Sequence, residues 1–304
     1  MQLMGSTTPG LVVPPTGRGP DATLGGVDTA TFTLVIFVCS AVAGLLGSLT
    51  GLGGGAIIVP LLVVAFGVDL KYAIGASLVA VIATSSGSAA AFVKEGFTNV
   101  RLAMLLEVAT TVGALVGAWL ATLVTSGTLS VMLGIILMWT AWNALRPPPP
   151  HPVDTNPDSL GNRLRLNGTF PTNEGLQPYS VHRVPLGFTL MTGAGALSAM
   201  LGIGSGVLKV LAMDRLMRVP YKVSTTTSNF MIGVTAAASA GVYLSRGQIH
   251  PGLAGPVALG ALAGSFVGAK ILPRVKTKTL RMVFAGMVIL AGGQMIYKGA
   301  TGQL

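Results

Sequence analysis

Gly202-Ile203-Gly204-Ser205-Gly206-Val207-Leu208-Lys209 sets three alternating glycines and a solitary lysine inside an otherwise apolar stretch. It has a twin 151 residues earlier, Gly51-Leu52-Gly53-Gly54-Gly55-Ala56-Ile57-Ile58, in an equally apolar setting. Glycine costs roughly 1 kcal/mol in a helix interior relative to alanine, so three of them within five residues should interrupt a helix. In lipid, the N–H and C=O groups freed by such a break must find partners. A broken helix therefore survives only inside protein or beside a cavity.

The surrounding composition is that of a membrane chain. Of 304 residues, 51% are hydrophobic and 9% charged, and glycine occurs 42 times. Apolar stretches of about 20 residues, the length that crosses a bilayer, recur along the chain. Abundant glycine suits close helix packing in lipid. The net charge of +10 could suggest nucleic acid, but the basic residues lie between apolar spans, where topology signals belong. Cys39 is the single cysteine, which excludes an intramolecular disulfide. Residues 1–27 lack the basic region and apolar core of a signal peptide and read as a disordered arm.

Aligned with itself at an offset of 151, the chain matches without a gap over roughly 95 residues. Besides the knots, Ser77 matches Ser228, Ser88 matches Ser239, and Gly113 and Gly117 match Gly264 and Gly268. The pattern predicts an all-α polytopic membrane protein built of two repeats, 28–145 and 184–304. Each repeat has about five helical segments, of which the short ones beside the knots cross or re-enter, giving 8–10 segments in all. Residues 146–183, with Pro147 to Pro150, read as an extended, mobile cytoplasmic linker.

An odd number of segments per repeat makes the second repeat inverted. Charge tests this independently: the loop at 270–281 holds Lys270, Arg274, Lys276, Lys278 and Arg281, whereas its counterpart at 124–129 holds no Lys or Arg. Threaded as inverted repeats, fourteen of nineteen Lys and Arg fall on one side, in 94–101, 146–183, 214–222 and 270–281. The positive-inside rule makes that side cytoplasmic and both termini extracytoplasmic.

Half-helix N-termini expose N–H groups and partial positive charge. Inverted repeats bring two such ends together near the midplane, where secondary transporters bind cargo. The candidate substrate site is thus Gly53, Gly54 and Gly55 from the first knot with Gly204, Ser205, Gly206 and Lys209 from the second. Lysine in a membrane is costly. A bound anion would relieve that cost, and snorkelling to the headgroups is the competing account. Ser77, Ser228 and Asn229 add hydroxyl and amide groups that can ligate oxyanion oxygens. Glu107 is a weak candidate for coupling, because its closeness to Arg101 favours an interfacial place. The matched Gly113/Gly117 and Gly264/Gly268 pairs have the spacing of helix-packing motifs. Asn143 and Gln294, matched at the offset, read as bonds between helices. No catalytic, metal-binding or nucleotide-binding motif is present, so neither an enzyme nor a cofactor is expected.

The first knot with its tail, Gly51 to Leu61, resembles the signature of the TauE/SafE sulfite exporter family, also called the toluene-sulfonate uptake permease family. The Ala76-Ser77 region and the degenerate copy at Gly202 to Gly206 are similar to it as well. The resemblance covers about 28–145 and 184–298. It implies a prokaryotic inner-membrane secondary transporter for sulfite, sulfonates, related sulfur oxyanions or small organic acids, usually drawn with eight spans. The second knot departs from the pattern through Ser205 and Lys209, which argues against two equivalent sites. The expected function is alternating-access transport, in the export direction, of a small oxyanion. Its partners are that anion and the bilayer, not nucleic acid, and a homo-oligomer is compatible with the sequence. An anion channel and a membrane scaffold subunit are the rival readings.

Overall fold

The computed structural model describes residues 29–50, 54–94, 96–145, 159–172, 175–204, 206–271 and 277–302. In the first half, α1 (Thr29–Thr50) leads to the first knot. A short α2 (Gly55–Pro60) follows and widens to π-helix over Leu61–Ala65. Then come α3 (Leu70–Lys94), α4 (Val100–Leu120) and α5 (Ser126–Leu145). Between the halves lie a short α6 (Ser159–Arg163) and two strands, β1 (Gly168–Thr172) and β2 (Gly175–Tyr179). The second half repeats the first: α7 (Val184–Leu201), α8 (Gly206–Leu211) with a π-helical continuation Ala212–Leu216, α9 (Tyr221–Ser245), α10 (Pro251–Ile271) and α11 (Thr277–Thr301). The π-helical widening recurs at 212–216 without a proline before it, so Pro60 is not its common cause.

Four helices among the described residues are long and apolar enough to cross a membrane: α1, α4, α7 and α10. They are also two pairs of counterparts under the offset. Large apolar side chains point outward, including Leu290 at 73% and Met104 at 62% exposure, while hydroxyls such as Ser77, Thr110, Ser224 and Thr235 are fully enclosed. Hydroxyls enclosed within a mainly apolar core, under an apolar exterior, suit a hydrocarbon surround, where the exposed apolar surface carries no penalty.

Glycine backbones set the packing. A Cβ on Gly264 would strike Ala41 O, and one on Gly113 would strike Thr192 O. These are the same contact shifted by 151 in both partners. Gly44 against Ala261 and Gly195 against Thr110 form a second such pair. The register also gives directions. Phe37 faces Gly260 and Ala41 faces Gly264, so α1 and α10 run parallel; Gly113 and Gly117 facing Thr192 and Ala196 make α4 and α7 parallel too. By contrast, Gly127 meets Gly299 and Gly134 meets Gly292, so α5 and its counterpart α11 run in opposite directions. Likewise Gly75, early in α3, packs on Gln248 just past the end of α9. Asn99, just past the end of α3, donates from its N–H to Thr227 Oγ1 early in α9 (3.1 Å).

The same contacts show where the short helices lead. Lys298 Nζ, near the end of α11, donates to Val63 O in the first π-helical turn (3.1 Å), and Arg246 Nη1 donates to Ala118 O (3.3 Å). These residues share the end of the bundle where α1, α3 and α10 begin. The stretch after the first knot therefore returns the chain to the end from which α1 started. The stretch after the second knot does likewise at the opposite end, where His182 N–H bonds to Met217 O (3.0 Å).

The linker is not extended throughout. Its first part, including the four prolines, lies outside the described residues, as do the arm at 1–27 and residues 272–276. From Ser159 onward it is folded: α6 leads to an antiparallel hairpin with Gly168 opposite Tyr179 and Thr172 opposite Gly175. Leu166, Tyr179 and Val181 are buried in one cluster with Leu102 and Leu106 of α4 and with Met213 and Met217. Asn99 fastens the hairpin. Its Oδ1 accepts from Leu102 N–H and caps α4, while its Nδ2 donates to Leu166 O (2.8 Å) and Tyr179 OH (2.7 Å). Burial pushes the Tyr179 phenol up to about 12, so it remains neutral at ordinary pH. Prolines and polar residues dominate the linker's composition and conceal the few apolar side chains that dock it.

Candidate functional site

The two knots meet. Gly202 and Gly204 have φ of +68° and +72°, a conformation that L side chains rarely adopt, so glycine is required to end α7 this way. A Cβ on Gly55 would come within 2.6 Å of Gly202 O and 3.1 Å of Ser77 Oγ. Ser77, on α3, donates to Gly202 O (2.8 Å), so the first half holds a carbonyl freed at the second knot. Ser228, its counterpart on α9, donates to Gly206 O (3.3 Å). In this arrangement both serine protons are engaged by the knots. Asn229 is buried beside Ser228. Gly54 and Gly55 are enclosed where α2 begins, while Gly53 and Ser205 lie outside the described residues.

Lys209 reaches inward. It is 0% exposed and among the largest side chains enclosed so completely, which rules out snorkelling in this structure. Its Nζ donates to Thr235 Oγ1 (2.6 Å), and Thr235 Oγ1 in turn donates to Glu107 Oε1 (2.8 Å). Glu107 turns into the protein: it is 8% exposed, and its chain of bonds leads to Lys209, away from the exposed Arg101. Thr111 Oγ1 also lies 3.3 Å from Glu107 Oε1, and Thr110 Oγ1 3.3 Å from Thr235 Oγ1. A lysine on α8, a hydroxyl on α9 and a carboxylate on α4 thus form one buried chain through three elements. Burying either charge alone would be very costly, and the opposite charge one hydroxyl away offsets it.

Thr235 is the residue that sequence reasoning missed. It lies seven positions after Ser228, two turns along the same helical face, and it is the counterpart of Thr84 at the offset of 151. The signal was legible as a polar residue within an apolar helix, but its importance depends on Lys209 and Glu107 arriving from other helices. The first half has no such chain. The counterparts of Lys209 and Glu107 are Ile58 and Ala258, and Thr84 Oγ1 bonds to Val81 O within its own helix. Asn143 Nδ2 likewise donates to Trp139 O of its own helix, not between helices, and Gln294 is exposed.

The two meeting knots and the enclosed charge chain sit within the part of the chain that related proteins share. Residues 36–295 match the family described as Sulfite exporter TauE/SafE. The chain is 29% identical over 274 residues to "Probable membrane transporter protein YunE" of Bacillus subtilis (strain 168), covering 88% of this chain and 98% of that protein. It is 26% identical over 274 residues to "Probable membrane transporter protein YjnA" of the same organism, covering 86% and 98% respectively. No solved structure matches the chain. The chain belongs to the TauE/SafE sulfite exporter family and is a membrane transporter.

Proposed function

We propose that this transporter is a secondary carrier for a small oxyanion, such as sulfite or an organosulfonate, working by alternating access between two inverted repeats. The observation that carries the reading is Lys209. It is wholly enclosed, beside a helix break, and makes one hydrogen bond among the described residues although an ammonium has three donors. An oxyanion bound there meets a fixed positive charge and the N–H groups of Gly204 and Gly206, around the start of α8. The first knot, through Gly54 and Gly55, closes the other side. Ser77, Ser228 and Asn229 line the site, and the Ser77 bond to Gly202 O ties the first half to the second knot.

In this reading the membrane is the prokaryotic inner membrane. The end of the bundle formed by Asn99, the hairpin and Met217 is cytoplasmic, and both termini are extracytoplasmic. The grouping of Asn99, the described part of the linker from Ser159 and Met217 at one end of the bundle supports that orientation, since Arg163, Arg165, Arg183, Arg215 and Arg218 lie in or beside those segments. The direction proposed is export. The complete enclosure of Lys209 favours a carrier that opens alternately over a standing channel.

The test is thermal stabilisation of the purified protein in detergent by sulfite, thiosulfate, methanesulfonate and acetate in turn. Ligand at a hundred times its Kd should stabilise the folded state by about 2.7 kcal/mol. Stabilisation by one oxyanion class, absent in Lys209→Ala relative to that variant's own baseline, is the expected result. No shift with any anion at millimolar concentration would overturn the reading.

A further inference from the structure

The carboxylate that faces Lys209 has a further use, and this inference rests on the anion site just described. We propose that Glu107 is a proton-binding site coupled to the cargo: it serves as the counter-anion of Lys209 in the empty carrier, and it binds a proton when an oxyanion takes its place. Each monoanion then crosses together with one proton.

The geometry carries this in three steps. First, Glu107 and Lys209 are joined through a single hydroxyl, Thr235, which accepts from the ammonium (2.6 Å) and donates to the carboxylate (2.8 Å). Anything that draws Lys209 toward itself disturbs the partner of Glu107. Second, the two oxygens of Glu107 differ. Oε1 accepts from Thr235 and Thr111, whereas Oε2 is buried with no hydrogen-bond partner among the described residues. A buried acceptor left unpaired is costly, and a proton on Oε2 converts it into a donor that can seek a partner. Third, an arriving anion places two negative charges against one positive charge in a pocket with little water. The excess charge is removed if Oε2 forms an O–H bond with a proton from the bulk on the side where the anion entered. That bond breaks on the opposite side when the anion leaves and Glu107 regains Lys209. Charge balances throughout: one anion and one proton bind, and one of each is released.

Among the described residues no other ionisable group substitutes for Lys209. On α4 the nearest is Arg101, which is exposed. Helix α7, packed against α4, has none. On α9, Lys222 Nζ lies 5.6 Å from the Phe97 ring centroid, Tyr243 OH donates to Ala199 O, and Tyr221 is at the helix start. On the π-helical stretch after α8, Asp214 and Arg215 lie a turn or more beyond Lys209 in sequence. Lys209 is the charged residue acting on Glu107. The coupling makes transport of a monoanion electroneutral. The membrane potential, which by itself expels anions, then ceases to drive it, and export runs only while the product of anion and proton concentrations is higher inside than outside.

The experiment uses the intact protein in liposomes containing a pH-sensitive dye, with the membrane potential clamped. Methanesulfonate is the probe, because it remains a monoanion across the pH range used. An imposed methanesulfonate gradient should move protons in the same direction, about one per anion. Glu107→Gln should lower the number of protons moved per anion carried from about one to zero, whatever anion flux it keeps. Because that variant could misfold, calorimetry of methanesulfonate binding to the wild type in two buffers of different ionisation enthalpy gives the proton count without mutation, expected near one. Anion flux in the wild type with no proton movement and a proton count of zero would overturn the coupling and leave the carrier standing. No methanesulfonate binding or flux in the wild type, alongside transport of none of the other oxyanions, would overturn the anion site itself.

Discussion

At the residue scale, the feature that separates the two halves is a buried lysine opposed by a buried carboxylate. Taking either partner away strands the other charge in a dry interior, a loss of about 3–5 kcal/mol in comparable cases, whereas replacing both with apolar side chains is often close to neutral. Lys209→Met should therefore lower the thermal stability of the detergent-solubilised protein markedly, and Lys209→Met combined with Glu107→Leu should recover most of the loss. A double variant no more stable than Lys209→Met would show that the two charges do not compensate each other. The two residues were individually visible in the sequence, as a lysine and a glutamate within apolar spans. Their pairing was not, because they are 102 positions apart and meet only through Thr235.

At the element scale, the knots and the linker hairpin behave differently from each other. The breaks were legible because glycine at such density opposes helix formation wherever it occurs. That Ser77 of one half holds Gly202 of the other depends on how α3 is placed, which no local pattern specifies. The hairpin depends on Asn99, whose side chain bonds to Leu102 N–H, Leu166 O and Tyr179 OH and whose backbone N–H bonds to Thr227. Asn99→Ala removes three side-chain bonds, each of about 1 kcal/mol net, and leaves the Leu166 carbonyl without that partner. The expected outcome is faster protease cleavage between residues 159 and 183 with the helical bundle intact, measured by limited proteolysis. Unchanged cleavage would mean that the apolar contacts of Leu166, Tyr179 and Val181 dock the hairpin without Asn99.

At the scale of the whole molecule, the halves exchange their contacts under one offset. The α1–α10 and α4–α7 pairs use matching glycines, while α5 and α11 run antiparallel to each other. If the helices cross a bilayer, counterparts running in opposite directions place the hairpin and Arg246 on opposite faces. Single cysteines at Leu164 and Arg246, both exposed, test this in a Cys39→Ser background. In intact cells an impermeant maleimide should label the Arg246→Cys variant and reach Leu164→Cys only after lysis. Labelling of both in intact cells would refute the inverted arrangement.

The sequence by itself determined the membrane class, the recurrence of one series of helical segments and the positions of both helix breaks. Each of these follows from composition or from a pattern local in the chain, and the energy of burying apolar length or of breaking a helix with glycine does not depend on distant neighbours. The tertiary structure decided what the lone lysine faces, that the two knots touch, and that part of a proline-rich linker is folded against the bundle. Those outcomes depend on which helices lie side by side. A buried charge is tolerated only where another element brings the opposite charge within reach, and that is a property of the packed molecule.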